Sequence, residues 1–459
     1  MSTLTRGFLP ASLLAFALGV PIAAQSTAPV TPRPPQLEVP YRMFTLGNGL
    51  RVVMHQDRSV PIVALNLWYH VGSANERPGR TGFAHLFEHL MFEGSKNVPE
   101  GQFDALLEAA GATNNGSTNY DRTNYYIDMP SNAVDLALYL ESDRMAYLLD
   151  SMTPARVDGQ RDVVKNERRQ SYENRPYGLA SLEFESLLWP EGHPYHWPTI
   201  GYMEDLTAAS YDDVVAFFKA YYSPNNASLV IAGDIDFDRT QALVTKWFSD
   251  IPRGPDVVPV APPAAVLKGV TRKTLTDRVR LGRLYLGWLT PREFAPGHAA
   301  LDVAASILAE GRNSRLYKRL VYDAQLAQDV SAYQAAGALG SSFQIVVTAM
   351  PGVPLAALQA AVDEELAKLR QEPPETRELQ RAMNQIEASF YRQMERVGSY
   401  RGKAEQLNAY LASGAGPDFF AEDLARYTSL SPADIQAAAV AWLPATRRVE
   451  VTVTPETTR

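Results

Sequence analysis

Thr81-Gly82-Phe83-Ala84-His85-Leu86-Phe87-Glu88-His89-Leu90-Met91-Phe92 carries two overlapping patterns. Phe83, Leu86, Phe87 and Leu90 recur at helical spacing and predict an apolar face that can build a core. His85 and His89 are four residues apart, so both imidazoles share one helix face and can reach a common metal. Glu88 is three residues from His85, which brings its carboxylate up beside the same point. That arrangement sets a base next to the water a metal would hold. Catalytic zinc needs a third protein ligand and an open fourth position. Asp162-Val163-Val164-Lys165-Asn166-Glu167-Arg168-Arg169-Gln170 reads as a helix that offers one. Glu167 is the strongest candidate and Asp162 a competitor, since spacing in sequence cannot choose between them.

Outward from the motif, the chain reads as strands and helices in a repeating layout. Arg42–Leu46, the turn Gly47-Asn48-Gly49 and Leu50–Met54 predict a hairpin, and Ile62–Val71 a longer strand. A Pro-rich break from Pro252 to Pro263 suits a linker. In the first half Tyr125–Pro130 is a strand ending in Met-Pro, followed by an amphipathic helix over Ala133–Leu149. In the second half Phe343–Pro351 ends the same way and precedes a helix over Leu355–Arg370. Each half closes with a helix and a strand, Leu206–Tyr222 then Ala227–Gly233, and Pro432–Leu443 then Arg448–Val453. The expected class is therefore α+β, with a duplicated unit of strands in one layer and helices packed on it.

Composition bounds what the chain can do. It has 459 residues, 46% hydrophobic and 20% charged, enough for a sizeable core. A formal net charge of -8 argues against a nucleic-acid partner, because no positive field attracts phosphates. There is no cysteine, so disulfides, thiolate zinc sites and iron–sulfur clusters are excluded. A metal site must use His, Asp and Glu. Arg6, the apolar run Ala11–Val20 and the small Ala23 and Ala24 match a secretory signal peptide, with no membrane span expected in the mature chain. Of the other histidines, His193 and His196 could pair on a metal, but their Pro-rich loop favours packing or peptide contact. His55, His70 and His298 are isolated and read as structural or exposed.

Val71-Gly72-Ser73-Ala74-Asn75-Glu76, with Gly82–Ser95, closely resembles the pitrilysin/insulinase (M16) family of zinc peptidases. Within it the chain is similar to the half-length subfamily that includes mitochondrial processing peptidase and bacterial periplasmic relatives. The resemblance implies one Zn2+ per chain on His85, His89 and Glu167, with Glu88 as general base. A family acidic residue before the third ligand falls on Gln160 here. The implied fold is two similar domains, each a mainly antiparallel sheet packed with helices, forming half of a clamshell. The implied division is 1–25 signal peptide, 26–40 Pro-rich tether, 41–253 zinc-binding catalytic domain, 254–270 linker and 271–459 C-terminal domain. Substrate peptides in the family add as a strand near the zinc, and the matching segment is Asn114, Asn115, Gly116, Ser117 and Thr118; a plain turn is the alternative.

One departure from the family pattern is informative. Members active by themselves carry, in the second half, an Arg and a Tyr that bind substrate and polarise its carbonyl. Here Val321 and Gln328 fall on those places, while Arg319 and Tyr322 are out of register. Neither Val nor Gln can stabilise a developing oxyanion as that pair does. The expectation is a heterodimer in which a half-length partner subunit supplies the Arg/Tyr pair, with a homodimer as the alternative. The expected function is a zinc-dependent endopeptidase of the bacterial periplasm, acting on peptides or unfolded segments. The rival is a non-catalytic peptide-binding or assembly subunit of a larger complex.

Overall fold

Two sheets of nearly the same plan organise the chain. In the computed structural model, residues 37–456 are described; the signal-peptide reading and most of the tether lie outside them. The first sheet has β1 (Arg42–Thr45), β2 (Arg51–Gln56), β3 (Ile62–Tyr69), β4 (Thr113–Thr118), β5 (Thr123–Pro130) and β6 (Ala227–Gly233). Its order is β1-β2-β6-β3-β5-β4, with only the β2–β6 pair parallel. The second has β7 (Val270–Asp277), β8 (Arg283–Thr290), β9 (Ala327–Ala335), β10 (Ser341–Ala349) and β11 (Arg448–Pro455). Its order is β7-β11-β8-β10-β9, with only β7–β11 parallel. Strand for strand the second sheet repeats the first without β1. The fold is thus α+β, with mainly antiparallel sheets packed with helices.

Burial follows the strand sequences. β6, Ala-Ser-Leu-Val-Ile-Ala-Gly, is buried along its whole length between β2 and β3. β4, Thr-Asn-Asn-Gly-Ser-Thr, is polar and Gly-containing, a poor strand by propensity. Pairing with β5 holds it extended as the edge strand. The predicted helix over Leu206–Tyr222 is two helices, Met203–Ala208 and Tyr211–Tyr221. Ser210 breaks it: its side chain caps the Asp213 N–H while Asp213 reaches back to the Ser210 backbone. No helix or strand occupies residues 252–269.

The halves exchange helices. Gly178–Leu188, from the first half, packs on β8 and β11 of the second sheet, where Phe184 and Leu188 join Tyr285, Val449 and Val451 in one apolar cluster. Lys403–Ser413, from the second half, packs on β2, β3 and β6 of the first sheet. There the buried Asn408 amide donates to the backbone carbonyls of Asn66 and Ser228, at 3.0 and 3.3 Å. Residues 38–456 accordingly belong to one compact unit.

Two local constraints set the helix Phe83–Leu90. Behind it, Arg144 is buried with Glu141, which it grips through two hydrogen bonds of 2.8 and 2.5 Å. The guanidinium also lies over the rings of Tyr125, Phe103 and Phe92, at 4.2, 4.4 and 5.2 Å. In front, Gly82 and Gly201 meet backbone to backbone with φ of 84° and 78°. A Cβ on Gly201 would stand 2.5 Å from the Gly82 Cα.

Replacing Gly201 with Ala combines left-handed strain of about 1–2 kcal/mol with overpacking of about 1–3 kcal/mol. The denaturant midpoint should drop accordingly; an unchanged midpoint would show that the contact is not tight. Arg144→Met should cost about 3–5 kcal/mol, because it leaves the Glu141 charge buried and unpaired. The double variant Glu141→Met/Arg144→Met, which removes both charges, should recover much of that loss in the same measurement.

Candidate metal centre

The helix Phe83–Leu90 begins at Gly82 and is short. Its first-turn N–H groups find a partner in the Glu76 carboxylate, which accepts from Gly82 at 2.9 Å and Ala84 at 2.8 Å. Burial pushes Glu76 up, to about 8, against the amide donors that favour its ionised form. Phe83, Leu86, Phe87 and Leu90 are buried; Phe87 stacks on Phe217 and Tyr222 at 5.1 and 5.0 Å. That packing turns His85, Glu88 and His89 to the other side.

Glu167 comes from the helix Pro154–Arg168, which packs against Phe83–Leu90 and runs on into a π-helical turn over Arg169–Glu173. Such turns recur at functional sites. The neighbouring Arg168 donates to the Gly201 carbonyl at 2.9 Å. Thr81, just before Gly82, donates through N–H and hydroxyl to Asp205, and its hydroxyl accepts from the Tyr202 N–H. Both helices are therefore anchored to one loop around Gly201.

The structure brings His85, His89 and Glu167 together, with one donor atom of each within 4.8 Å of the others. Glu167 Oε2 lies 3.6 Å from His85 Nε2 and 3.3 Å from His89 Nε2. Ligands at about 2.0–2.2 Å from a tetrahedral zinc stand roughly 3.4 Å apart, so this donor set fits that metal and leaves one position open. Among the described residues no other group of three such donors occurs. Asp162 is outside it, its largely exposed carboxylate 3.7 Å from Lys165. Burial pulls His85 down, to about 4, with Glu167 opposing. For His89 burial also disfavours the charged form, but Glu167 outweighs it and the net shift is upward. Glu167 is held below the usual carboxylate range, chiefly by its hydrogen bond to His89.

Glu88 is half-buried, and burial raises it from its ordinary value although the Thr118 hydroxyl donates to Oε2 at 2.6 Å. Thr118 ends β4, so the edge strand runs beside this carboxylate. Gly116 permits that approach: a Cβ there would stand 3.0 Å from Glu88 Cγ. Asn115 Oδ1 accepts the Gly116 N–H at 2.8 Å, Asn114 donates to Asp104 at 2.8 Å, and the Asn124 amide donates to the Ser117 hydroxyl at 2.6 Å. Asn114–Thr118 is thus an edge strand and not a plain turn.

Sequence reasoning left several neighbours out. Glu93 accepts from Gln160 at 2.6 Å, which supplies a carboxylate beside the position where Gln replaces the family acid. Glu76 lies in the stretch that carries the family resemblance but was given no role there, and Gly201 carries no motif signal; a Gly three residues past Pro198 was the only mark at 201. The remaining histidines have structural partners or none. His193 stacks on Trp189 at 4.6 Å and accepts from the Tyr195 N–H, and His196 bonds the Trp189 carbonyl. His55 bonds the Pro40 carbonyl, and His70 accepts from Arg51. In the second half Arg319 pairs with Glu364 at 3.2 Å, Tyr322 and Gln328 are exposed, and Val321 packs on the second core.

Two models of one family match the chain. The one described as insulinase (peptidase family M16) matches residues 51–183, and the one described as peptidase M16 inactive domain matches residues 208–386. Between them they take in more than half of it. The zinc protease PqqE of Helicobacter pylori is 29% identical over 398 residues, 85% of this chain and 86% of that protein. A crystal structure of a protease from Helicobacter pylori has a TM-score of 0.84 at 27% identity, over 91% of this chain and 100% of the other. The periplasmic protease PqqL from Escherichia coli, at 18% identity, shares the fold with a TM-score of 0.73 over 91% of this chain, which spans 48% of PqqL. With both family models aligned in order along it, and relatives of the same length named zinc proteases, the chain belongs to the insulinase family of peptidases, M16.

Proposed function

We propose that the protein is a zinc-dependent endopeptidase that hydrolyses peptides or unfolded polypeptide segments. The observation that carries this reading is the convergence of His85, His89 and Glu167 within 4.8 Å, on the side where Glu88 faces the edge strand β4. Zinc, when bound, supplies Lewis acidity that makes water a nucleophile near neutral pH and polarises the scissile carbonyl. Glu88 accepts the proton of the attacking water and passes it to the nitrogen as the C–N bond breaks, so the products are a carboxylate and an amine. A raised pKa suits that role, since a base works best when its pKa approaches the working pH. The Thr118 hydroxyl keeps the Glu88 carboxylate turned toward the strand.

A substrate strand added to β4 is bound through backbone groups and tolerates many side chains. Asn114–Thr118 supplies that edge. The Asn115 side chain must release the Gly116 N–H for a peptide to take it. Val321 and Gln328 motivate a partner subunit that brings the Arg/Tyr pair, the two chains closing as a clamshell; a homodimer is the alternative. Export to the bacterial periplasm rests on the N-terminal sequence pattern.

Glu88→Gln should keep about one zinc per chain by elemental analysis while peptide turnover falls by roughly 10²–10⁴-fold. Turnover at the wild-type rate would remove Glu88 as the base. Glu167→Gln should instead lose metal and activity together. A metal-replete wild-type chain that cleaves nothing, alone or with any half-length partner, would favour the non-catalytic assembly subunit. Full activity from the chain purified alone as a monomer would remove the partner proposal.

A further inference from the structure

A cavity of about 530 Å³ opens in the second half, within the usual range for small-ligand sites. Its walls come from the helix His298–Ala309, the edge strand β9, and the helices Thr376–Glu395 and Phe420–Thr428. No metal-centre residue lines it. Four carboxylates do, Glu293, Asp302, Glu310 and Asp423, against two guanidiniums, Arg401 and Arg426. Arg426 is already spent on Asp423, at 2.5 Å. Asp302 accepts from the Tyr427 hydroxyl at 2.9 Å and the Gln334 amide at 2.8 Å. Glu293 is an exposed residue at the rim, and its carboxylate has no hydrogen bond or ion pair among the described residues; desolvation by the surrounding protein, then the charges of Asp121, Asp423 and Asp302, push it upward.

His298 is the second, independent sign of a missing ligand. It is only 4% exposed, it lines the cavity, and neither ring nitrogen has a hydrogen-bond partner. Asp302 stands 3.4 Å from Nδ1 but without hydrogen-bond geometry. Burial holds the ring neutral, so one nitrogen is a free acceptor. Phe294, beside Glu293, has a φ of 61°, a strained value for a bulky residue and of the kind that gathers at binding sites. Its ring already carries one guanidinium, that of Arg426, at 5.0 Å. A bare divalent ion does not suit the cavity, because no three of its donors converge as those of the metal centre do.

We propose that this cavity is a second binding site, for an organic cation bearing a guanidinium or alkylammonium group. Glu293 and Asp302 take the charge, a nitrogen of His298 accepts one N–H, and Tyr333 and Phe390 pack the stem. The same head group occurs on a basic peptide side chain and on a free amine. Titration calorimetry on the full chain separates the two with agmatine, Nα-acetyl-arginine amide and its uncharged citrulline analogue. Agmatine should bind one to one, with the citrulline compound weaker by at least roughly tenfold, as expected for a charge-assisted contact. Binding of the acetyl-arginine amide as well assigns the site to peptide side chains; binding of agmatine alone assigns it to free amines. Glu293→Gln should weaken agmatine by roughly tenfold or more. Ser389→Arg, which fills the cavity with its own guanidinium, should abolish binding. Thermal melting identifies a misfolded variant, in which case the other carries the test. Absence of agmatine binding, equal affinity for the citrulline compound, or unchanged affinity in a folded variant overturns the proposal. None of these readouts depends on the metal centre.

Discussion

The metal donors come from two helices that are far apart in sequence, and neither helix can hold them alone. Two imidazoles four residues apart define a line on one helix; a third donor must arrive from outside it at the right height. The contact that fixes this height is the backbone meeting of Gly82 with Gly201. Gly82 starts the helix that carries the histidines, and Gly201 is gripped by Arg168, the residue after Glu167. A shift of either helix therefore has to break a backbone contact or a hydrogen bond on the same loop. The hydrogen bonds of Thr81 with Asp205 and Tyr202 close the loop from the other side. Distances of 3.3 and 3.6 Å between Glu167 and the two imidazoles are the outcome of that anchoring.

The base is governed by a different constraint, the distance between the helix and the edge strand. Glu88 sits where burial raises its pKa, a cost that its hydrogen bond to Thr118 only partly offsets. A carboxylate in that position is a poor structural element and a good proton acceptor. The strand can lie so close because residue 116 has no side chain. Its polar, weakly strand-forming sequence leaves a backbone edge beside the carboxylate where an apolar strand would have demanded cover.

Much of this was legible in the sequence because it is local. Helical spacing put His85, Glu88 and His89 on one face, and the repeated strand–helix endings announced the duplicated plan. The centre of the first sheet was legible too, since an uninterrupted apolar run such as Ala227–Gly233 has few alternatives. What was not legible is long-range. Periodicity cannot distinguish Asp162 from Glu167, because both lie on one helix and only packing turns one toward the histidines. The exchange of Gly178–Leu188 and Lys403–Ser413 between halves leaves no local mark, as an amphipathic helix does not say which sheet it will cover. The break at Ser210 was written in its Ser and Asp, but the apolar periodicity on either side masked it. The strand nature of Asn114–Thr118 was hidden by a composition that propensity assigns to turns.

The duplication explains why the cavity of the second half lies where it does. In the first sheet the chain leaves β3, turns at a left-handed Gly82 and enters a helix that lies beside the edge strand β4. In the second it leaves β8, turns at a left-handed Gly297 and enters the helix His298–Ala309, which lies beside the edge strand β9. The same three elements thus frame a concavity in each half. In the first, two imidazoles and a carboxylate from the neighbouring helix converge closely enough for one ion. In the second, aligning the two glycines sets Ala300 and Ala304 at the places of His85 and His89, so no metal can be held there. What remains is a wider hollow with unbalanced carboxylates and a buried, unpartnered imidazole. Without metal donors the second frame has no place for a small cation, and a frame of that charge favours a larger one.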